Sequence, residues 1–212
     1  MTIRAKLIAA IVLTVIGPVV TIGVALAAFA TLGERFDDVA EGSRHQALAL
    51  NVKFAVTDMN GWQTAYGYDD GRSRPQFERS VAATRTQLAA AERTLTAPHE
   101  RDQLATLTSA FDDFMRLDER AWQALQEGRP EVTKRLLLGP EIRHFEAMAR
   151  AAGELAAEQQ VRARATEQDF DDARDTARKQ LVAVGIGAGV VIVLLLITVQ
   201  DVVRLALERR AE

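Results

Sequence analysis

Hydrophobic positions along this chain follow two different patterns. In the first, apolar residues run on without interruption: no Asp, Glu, Lys or Arg occurs from Leu7 to Gly33, nor from Leu181 to Gln200. A helix of about 20 apolar residues crosses a bilayer core, so each run is long enough to span one. Between the runs, apolar residues recur at alternating three- and four-residue spacings, the pattern of helices packed side by side. Phe36, Ala40, Ser43, Ala47, Leu50, Phe54, Thr57 and Gly61 predict the core-facing seam of a first helix over 34–69. Phe77, Val81, Thr84, Leu88, Ala91 and Leu95 predict a second over 75–96. Leu104, Leu107, Phe111, Phe114, Ala121 and Leu125 mark a third. Ile142, Phe145, Ala149, Ala152 and Ala156 open a fourth over 141–180, continued by Ala163, Phe170, Ala173 and Ala177. No stretch alternates with period two, so the fold class is all-α.

Proline and glycine divide the helices. Breakers stand at Gly71 to Pro75, at Ala97-Pro98, at Gly128-Arg129-Pro130 and at Gly139-Pro140. Ser73 ahead of Pro75 reads as an N-cap, Thr96 as a cap for the next turn, and Gly128 as a C-terminal stop. Residues 130–138 form a short helical turn. The expected architecture is an up-down-up-down four-helix bundle whose first and last helices continue into two membrane spans. Residues 7–33 form the first span, 34–180 the bundle and 181–200 the second span, with 1–6 and 201–212 as flanking tails.

Charge sets the orientation. Arg4 and Lys6 precede the first span, and Arg204, Arg209 and Arg210 follow the second. Residues 34–180 carry 21 Lys and Arg against 26 Asp and Glu. Basic residues favour the cytoplasmic side, so both termini are expected inside and 34–180 outside the cytoplasmic membrane. Arg4 and Lys6 could also begin a signal peptide ending near Ala28-Phe29-Ala30, but the apolar stretch exceeds the usual h-region, which favours an uncleaved anchor. The chain has no cysteine, which fits an extracytoplasmic domain without requiring it.

Two spans bracketing about 150 residues of helical bundle resemble the ligand-binding module of bacterial methyl-accepting chemotaxis proteins and related transmembrane receptors. AVTDMNGWQTAYGYD, at the end of the first helix, looks like the corresponding part of such receptors, and GRPEVTKRLLLGPEIRHFEAM resembles their short helix and restart. The resemblance implies a sensor in a bacterial cell membrane that detects a small ligand or partner, forms a homodimer and relays through the last helix to a downstream signalling protein or domain. One departure is plain: Asp201 to Glu212 contain neither the HAMP relay nor the output domain of the family. The competing reading is a membrane-anchored helical protein that docks a partner without sensing a small molecule.

Candidate chemistry gathers at DMNGWQTAYGYDDG, which holds both tyrosines and one of the two tryptophans. On the bundle model Trp62, Tyr66 and Tyr68 approach Trp122, while Arg72, Arg74, Arg79 and Arg143 stand at similar height. Arginine grips carboxylates bidentately and aromatics supply apolar walls, so a small anionic ligand is one reading. The other is that the aromatics fill the wide end of the bundle and the arginines are solvated. His45, His99 and His144 are too scattered for a metal set, and His45 lies off the seam and reads as a surface residue. Asp169, Asp171, Asp172 and Asp175, interleaved with Arg174 and Arg178, read as a solvated helix face. Gly185 and Gly189 form a GxxxG pair suited to packing on the first span or on a second protomer. No nucleophile motif, phosphate loop or metal signature points to an enzyme, a cofactor or nucleic-acid binding.

Overall fold

The computed structural model describes the backbone of residues 3–208 and the side chains of 12–204 apart from positions 13 and 202. Five helices follow one another: α1 (Ile3–Tyr68), α2 (Arg74–Thr94), α3 (Pro98–Gln126), α4 (Pro130–Leu137) and α5 (Pro140–Glu208). The described residues contain no strand, so the all-α class holds. Two helices are long and apolar enough to cross a membrane. The chain divides into two compact units, residues 1–39 with 166–212, and residues 40–165.

The first unit pairs the N-terminal part of α1 with the C-terminal part of α5. Gly17, Thr21, Val24 and Ala28 are the more covered positions on α1, and Val184, Ala188, Val191 and Leu195 on α5. Both sets keep a four-three-four spacing, and the small members Gly17, Ala28 and Ala188 let the backbones approach. Thr21 Oγ1 donates back to the Gly17 carbonyl at 2.9 Å, so its hydroxyl is satisfied without water. Pro18 lies inside α1 without ending it. Phe36 and Phe170 meet edge to face with centroids 6.4 Å apart. The GxxxG pair takes no part: a Cβ built at Gly185 or Gly189 would find no atom within 4 Å, so these glycines do not contact the first span. Of the acidic run on α5, Asp171 pairs with Arg174 at 3.5 Å on an exposed face, as its spacing suggests.

In the second unit, α1, α2, α3 and α5 contribute to one core built from Val52, Val56, Met59, Tyr66, Phe77, Leu88, Leu104, Leu107, Phe111, Phe114, Met148 and Leu155. The seams expected on α2 and α3 are buried, with Leu125 half-buried. The seam expected on α1 is not. Phe54, Thr57 and Gly61 are exposed, and α1 instead buries Ala49, Val52, Val56, Met59, Gln63 and Tyr66. Two heptad series compete on this helix, and the one that wins carries more large side chains. Burying a Val or Met contributes about 1.5–3 kcal/mol, which Ser43 and Gly61 cannot match. On α5, Ile142 is similarly exposed while Met148, Ala151 and Leu155 are buried.

The turns show why particular residues stand there. After α1 the chain turns at Asp70 and Gly71, with φ of 56° and 86°, and the Ser73 hydroxyl donates to Asp69 Oδ2 at 2.6 Å rather than capping α2. Gly128 stops α3 at φ 71°. The Ala97 N–H is held by Glu100 Oε2 at 3.0 Å, so Glu100 and not Thr96 fixes that turn. A Cβ on Gly71 would lie 2.9 Å from the Trp122 ring in addition to its left-handed φ. Gly71→Ala is therefore expected to lower stability by about 1–3 kcal/mol, read from urea unfolding of the detergent-solubilised chain by circular dichroism.

Candidate functional site: a buried ionic centre

Asp118 explains the local arrangement. It occupies a seam position of α3, four residues after Phe114 and three before Ala121, and is fully buried. A carboxylate removed from water needs donors, and three come from two other helices. Tyr66 Oη donates to Asp118 Oδ1 at 2.5 Å, Gln63 Nε2 to the same oxygen at 3.2 Å, and Arg74 Nη1 to Oδ2 at 2.8 Å. Arg74 also reaches Glu78 Oε1 at 3.1 Å through Nε, at the solvent edge. Its guanidinium packs over three aromatic rings, 4.8 Å from the Phe77 centroid, 4.9 Å from Trp122 and 5.2 Å from Tyr66. Tyr66 and Trp122 stand edge to face at 5.7 Å. Cation–π contact and ion pairing thus hold one charge in place from two directions.

A second carboxyl enters from α5. Glu141, in the first turn, is 1% exposed and accepts from Gln63 Nε2, so one amide group bridges both acids. Its Oε2 is buried without a hydrogen-bond partner. Burial, and then the neighbouring Asp118 charge, push the Glu141 pKa up to about 8, against the pull of Gln63 and Arg74. The open N–H groups of the α5 first turn favour the anion, but only by about 0.3–1 kcal/mol in ordinary settings, which is too little to reverse burial. Glu141 is therefore the neutral partner near pH 7. Burial also raises Asp118, with Tyr66, Arg74 and Gln63 opposing it. Tyr66 is pushed far up, by burial first and then by Asp118, and stays a phenol.

Of the sequence-predicted residues, the structure brings Tyr66, Arg74 and Trp122 together and leaves the others apart. Trp62 and Tyr68 face outward, and Arg72, Arg79 and Arg143 are exposed. Arg72 Nε donates to the Asp69 carbonyl at 2.9 Å and organises the turn. The guanidinium best placed among aromatics already holds the chain's own carboxylate. Beside the centre, Asn60, Gln63, Thr64, Lys134, Leu137 and Phe145 line a cleft of about 90 Å³. Pockets that hold drug-sized ligands run about 300–1,000 Å³, so this one admits only a few small atoms. Gly67 shapes the same region, because any Cβ there would overlap the Leu137 side chain.

Sequence reasoning missed Gln63, Asp118 and Glu141. For Asp118 a signal exists: like Glu100 near the start of α3, it is a charged residue in phase with Leu104, Leu107, Phe111, Phe114 and Ala121. Gln63 carries no such signal, because it lies on the α1 series with Val52, Val56 and Met59 and not on the expected seam.

A second polar cluster ties α3 to α5 at the opposite end of this unit. Glu100 is buried and accepts from Gln159 Nε2 at 2.8 Å and Arg162 Nη1 at 2.9 Å. Burial works to raise its pKa, but Gln159, the Ala97 N–H, Arg162 and His45 together hold it below the usual range. His99 lies 2.9 Å from Glu158, and His45 is half-buried beside Glu41 rather than on the open surface. His144 Nδ1 faces Asp113 at 3.7 Å, so the three histidines stay on separate partners.

Comparison with protein-family models, with curated proteins and with solved structures yields no match.

Two outcomes test the ionic centre. In the unfolded chain Glu141 ionises near its ordinary 4.5, and in the fold near about 8. The fold binds that proton more tightly, so stability falls as pH rises through this window and levels off above it. Glu141→Gln should flatten the profile and be more stable than the parent at about pH 8, measured by urea unfolding across pH. Asp118→Ala strands the buried Arg74 and is expected to cost about 3–5 kcal/mol, with Arg74→Met in the same background recovering part of the loss.

Proposed function

We propose that the chain is the input module of a transmembrane signalling receptor. In this reading residues 34–180 form an extracytoplasmic up-down-up-down four-helix bundle, and the two apolar runs cross the cell membrane with both termini inside. A small ligand or a partner engages the bundle, and α5 carries the displacement to the second span and on to a downstream signalling protein or domain.

The supporting observation is the course of α5. A single helix, Pro140–Glu208, begins at Glu141 in the ionic centre and contains the apolar run 181–200. Any change in how Glu141, Gln63 and Asp118 share protons or hydrogen bonds therefore acts on the first turn of a helix that also enters the bilayer. Buried polar networks are suited to this role, because losing one hydrogen bond there costs several times more than at the surface. Coupling needs two arrangements of comparable energy; in this reading they are the protonated and ionised forms of Glu141.

The test uses the full chain in lipid nanodiscs with a panel of amino acids and short organic acids. At least one should raise the thermal midpoint by about 2–4 °C, through preferential binding to the folded state. The same compound should change the maleimide-labelling rate of a Gln180→Cys variant, which reports on α5 near the second span. Silence across the panel, with a membrane protein co-purifying in stoichiometric amount, would replace sensing with partner docking.

A further inference from the structure

The acidic run on α5 divides between two faces. Asp171 pairs with Arg174 on the open side, while Asp169 and Asp172 line a groove of about 530 Å³ that the first unit forms between α1 and α5. Arg35, two residues beyond the uncharged run that ends at Gly33, lines the same groove from α1. Ala28 and Ala177, both 6% exposed, form its floor. Phe36 and Phe170, the neighbours of Arg35 and Asp169 in sequence, meet edge to face and fasten the two helices at the charged end. Asp169 and Asp172 make no ion pair among the described residues.

The groove lies where a bilayer changes from hydrocarbon to headgroup. Gln180 borders the second apolar run, and Ala27 falls in the last two turns of the first. Arg35 and Asp172 stand eight residues further out on their helices, about 12 Å along the axis. The polar layer of a bilayer is about 5–8 Å deep on each side, and an arginine stem can lower its guanidinium toward it. A second groove of about 350 Å³, lined by Val12, Ile16, Val20, Val184 and Val191, lies between the apolar runs. Val12, Ile16, Val20, Ala27 and Thr31 succeed one another in steps of four or seven residues, so both grooves open on one side of α1. Together they make a furrow that is apolar at membrane depth and charged at its outer end.

We infer that the furrow binds one phospholipid that carries a free ammonium group, of the phosphatidylethanolamine class. An acyl chain follows the valine-lined groove, Arg35 takes the phosphate, and Asp169 and Asp172 accept hydrogen bonds from the ammonium. Side chains lean toward the N-terminus of their helix. On α1 that direction is toward the span and on α5 away from it, so the guanidinium is offered low and the carboxylates high. The lipid carries its charges in the same order, phosphate nearer the hydrocarbon and ammonium beyond. Arg35 Nη1 stands 3.6 Å from Asp38, an exposed pair of the kind that contributes little, and a phosphate gives it a stronger partner. Charge also selects the headgroup. Two carboxylates facing one guanidinium repel a lipid of net negative charge, and a choline nitrogen has no N–H to donate. The inference rests on the apolar runs being membrane spans and is independent of any signalling role.

The test uses the full chain in detergent, titrated by native mass spectrometry with the dioleoyl forms of phosphatidylethanolamine, phosphatidylcholine and phosphatidylglycerol. The ethanolamine lipid should bind about tenfold more tightly than the other two, the scale of one charge-assisted hydrogen bond. Asp169→Asn with Asp172→Asn should bring the ethanolamine and choline lipids to parity. Asp171→Asn with Asp175→Asn removes the same charge outside the groove and should leave the preference intact. Arg35→Gln should weaken both zwitterionic lipids alike, because both carry the phosphate. All five positions are exposed, so the helices stay intact. Equal binding of the three lipids by the parent overturns the site. So does a preference for phosphatidylglycerol, which would point to Arg178 and Lys179 outside the groove. Alkaline carbonate extraction of cell membranes keeps the two readings apart. Release of the chain overturns the spans and the site with them, and retention without lipid preference overturns the site alone.

Discussion

The helical unit 40–165 depends on one buried carboxylate. Asp118 sits where the seam of α3 would otherwise hold an apolar side chain, and its desolvation obliges Tyr66, Gln63 and Arg74 to converge on it. Each donor brings more than a hydrogen bond. Arg74 brings the start of α2 and stacks on Phe77 and Trp122, Tyr66 brings the end of α1, and Gln63 brings Glu141 and the start of α5. Four helices are thus registered at one end by a charge that cannot be left alone. Such a centre adds little net stability over an apolar replacement but specifies one arrangement.

That specification constrains what the site can do. An arginine among aromatics looks like an anion receptor until its partner is seen, and here the partner is internal. Glu141 then has no strong cation left and remains protonated with one oxygen unsatisfied. The result is a compact polar centre beside a small cleft, and it resembles a sensitive joint more than a binding pocket. The proposed input role follows from where the joint lies, at the first turn of the helix that contains the second apolar run. The far end of the unit shows a contrasting solution. There Glu100 is over-supplied with donors and held ionised, which fastens α3 to α5 without a comparable proton equilibrium.

The α1 helix shows most clearly how reading a seam can go wrong and still be informative. Two heptad series lie on nearly opposite faces of residues 40–68, and both satisfy the same spacing rule. One carries Val52, Val56, Met59 and Tyr66 and enters the core; the other carries Ala47, Leu50, Phe54 and Gly61 and faces out. Period alone cannot rank them, because period records only that a face is apolar and not what covers it. Total side-chain volume ranks them, and it favours the series of Val52, Val56, Met59 and Tyr66.

The sequence by itself determined the helical class, the two uncharged runs, the breaks at Gly71, Pro98, Gly128 and Pro140, and the seams of α2 and α3. Each of these follows from local rules: hydropathy over a window, backbone freedom at glycine, ring closure at proline, and spacing along one helix. Only tertiary structure decided which face of α1 is inside, which of the clustered aromatics and arginines meet, and that Gln63, Asp118 and Glu141 form one centre. The hydrogen bonds of that centre join residues 44 to 78 positions apart in the chain. Burial, pairing and protonation at such a place are set jointly by helices that know nothing of one another until they pack.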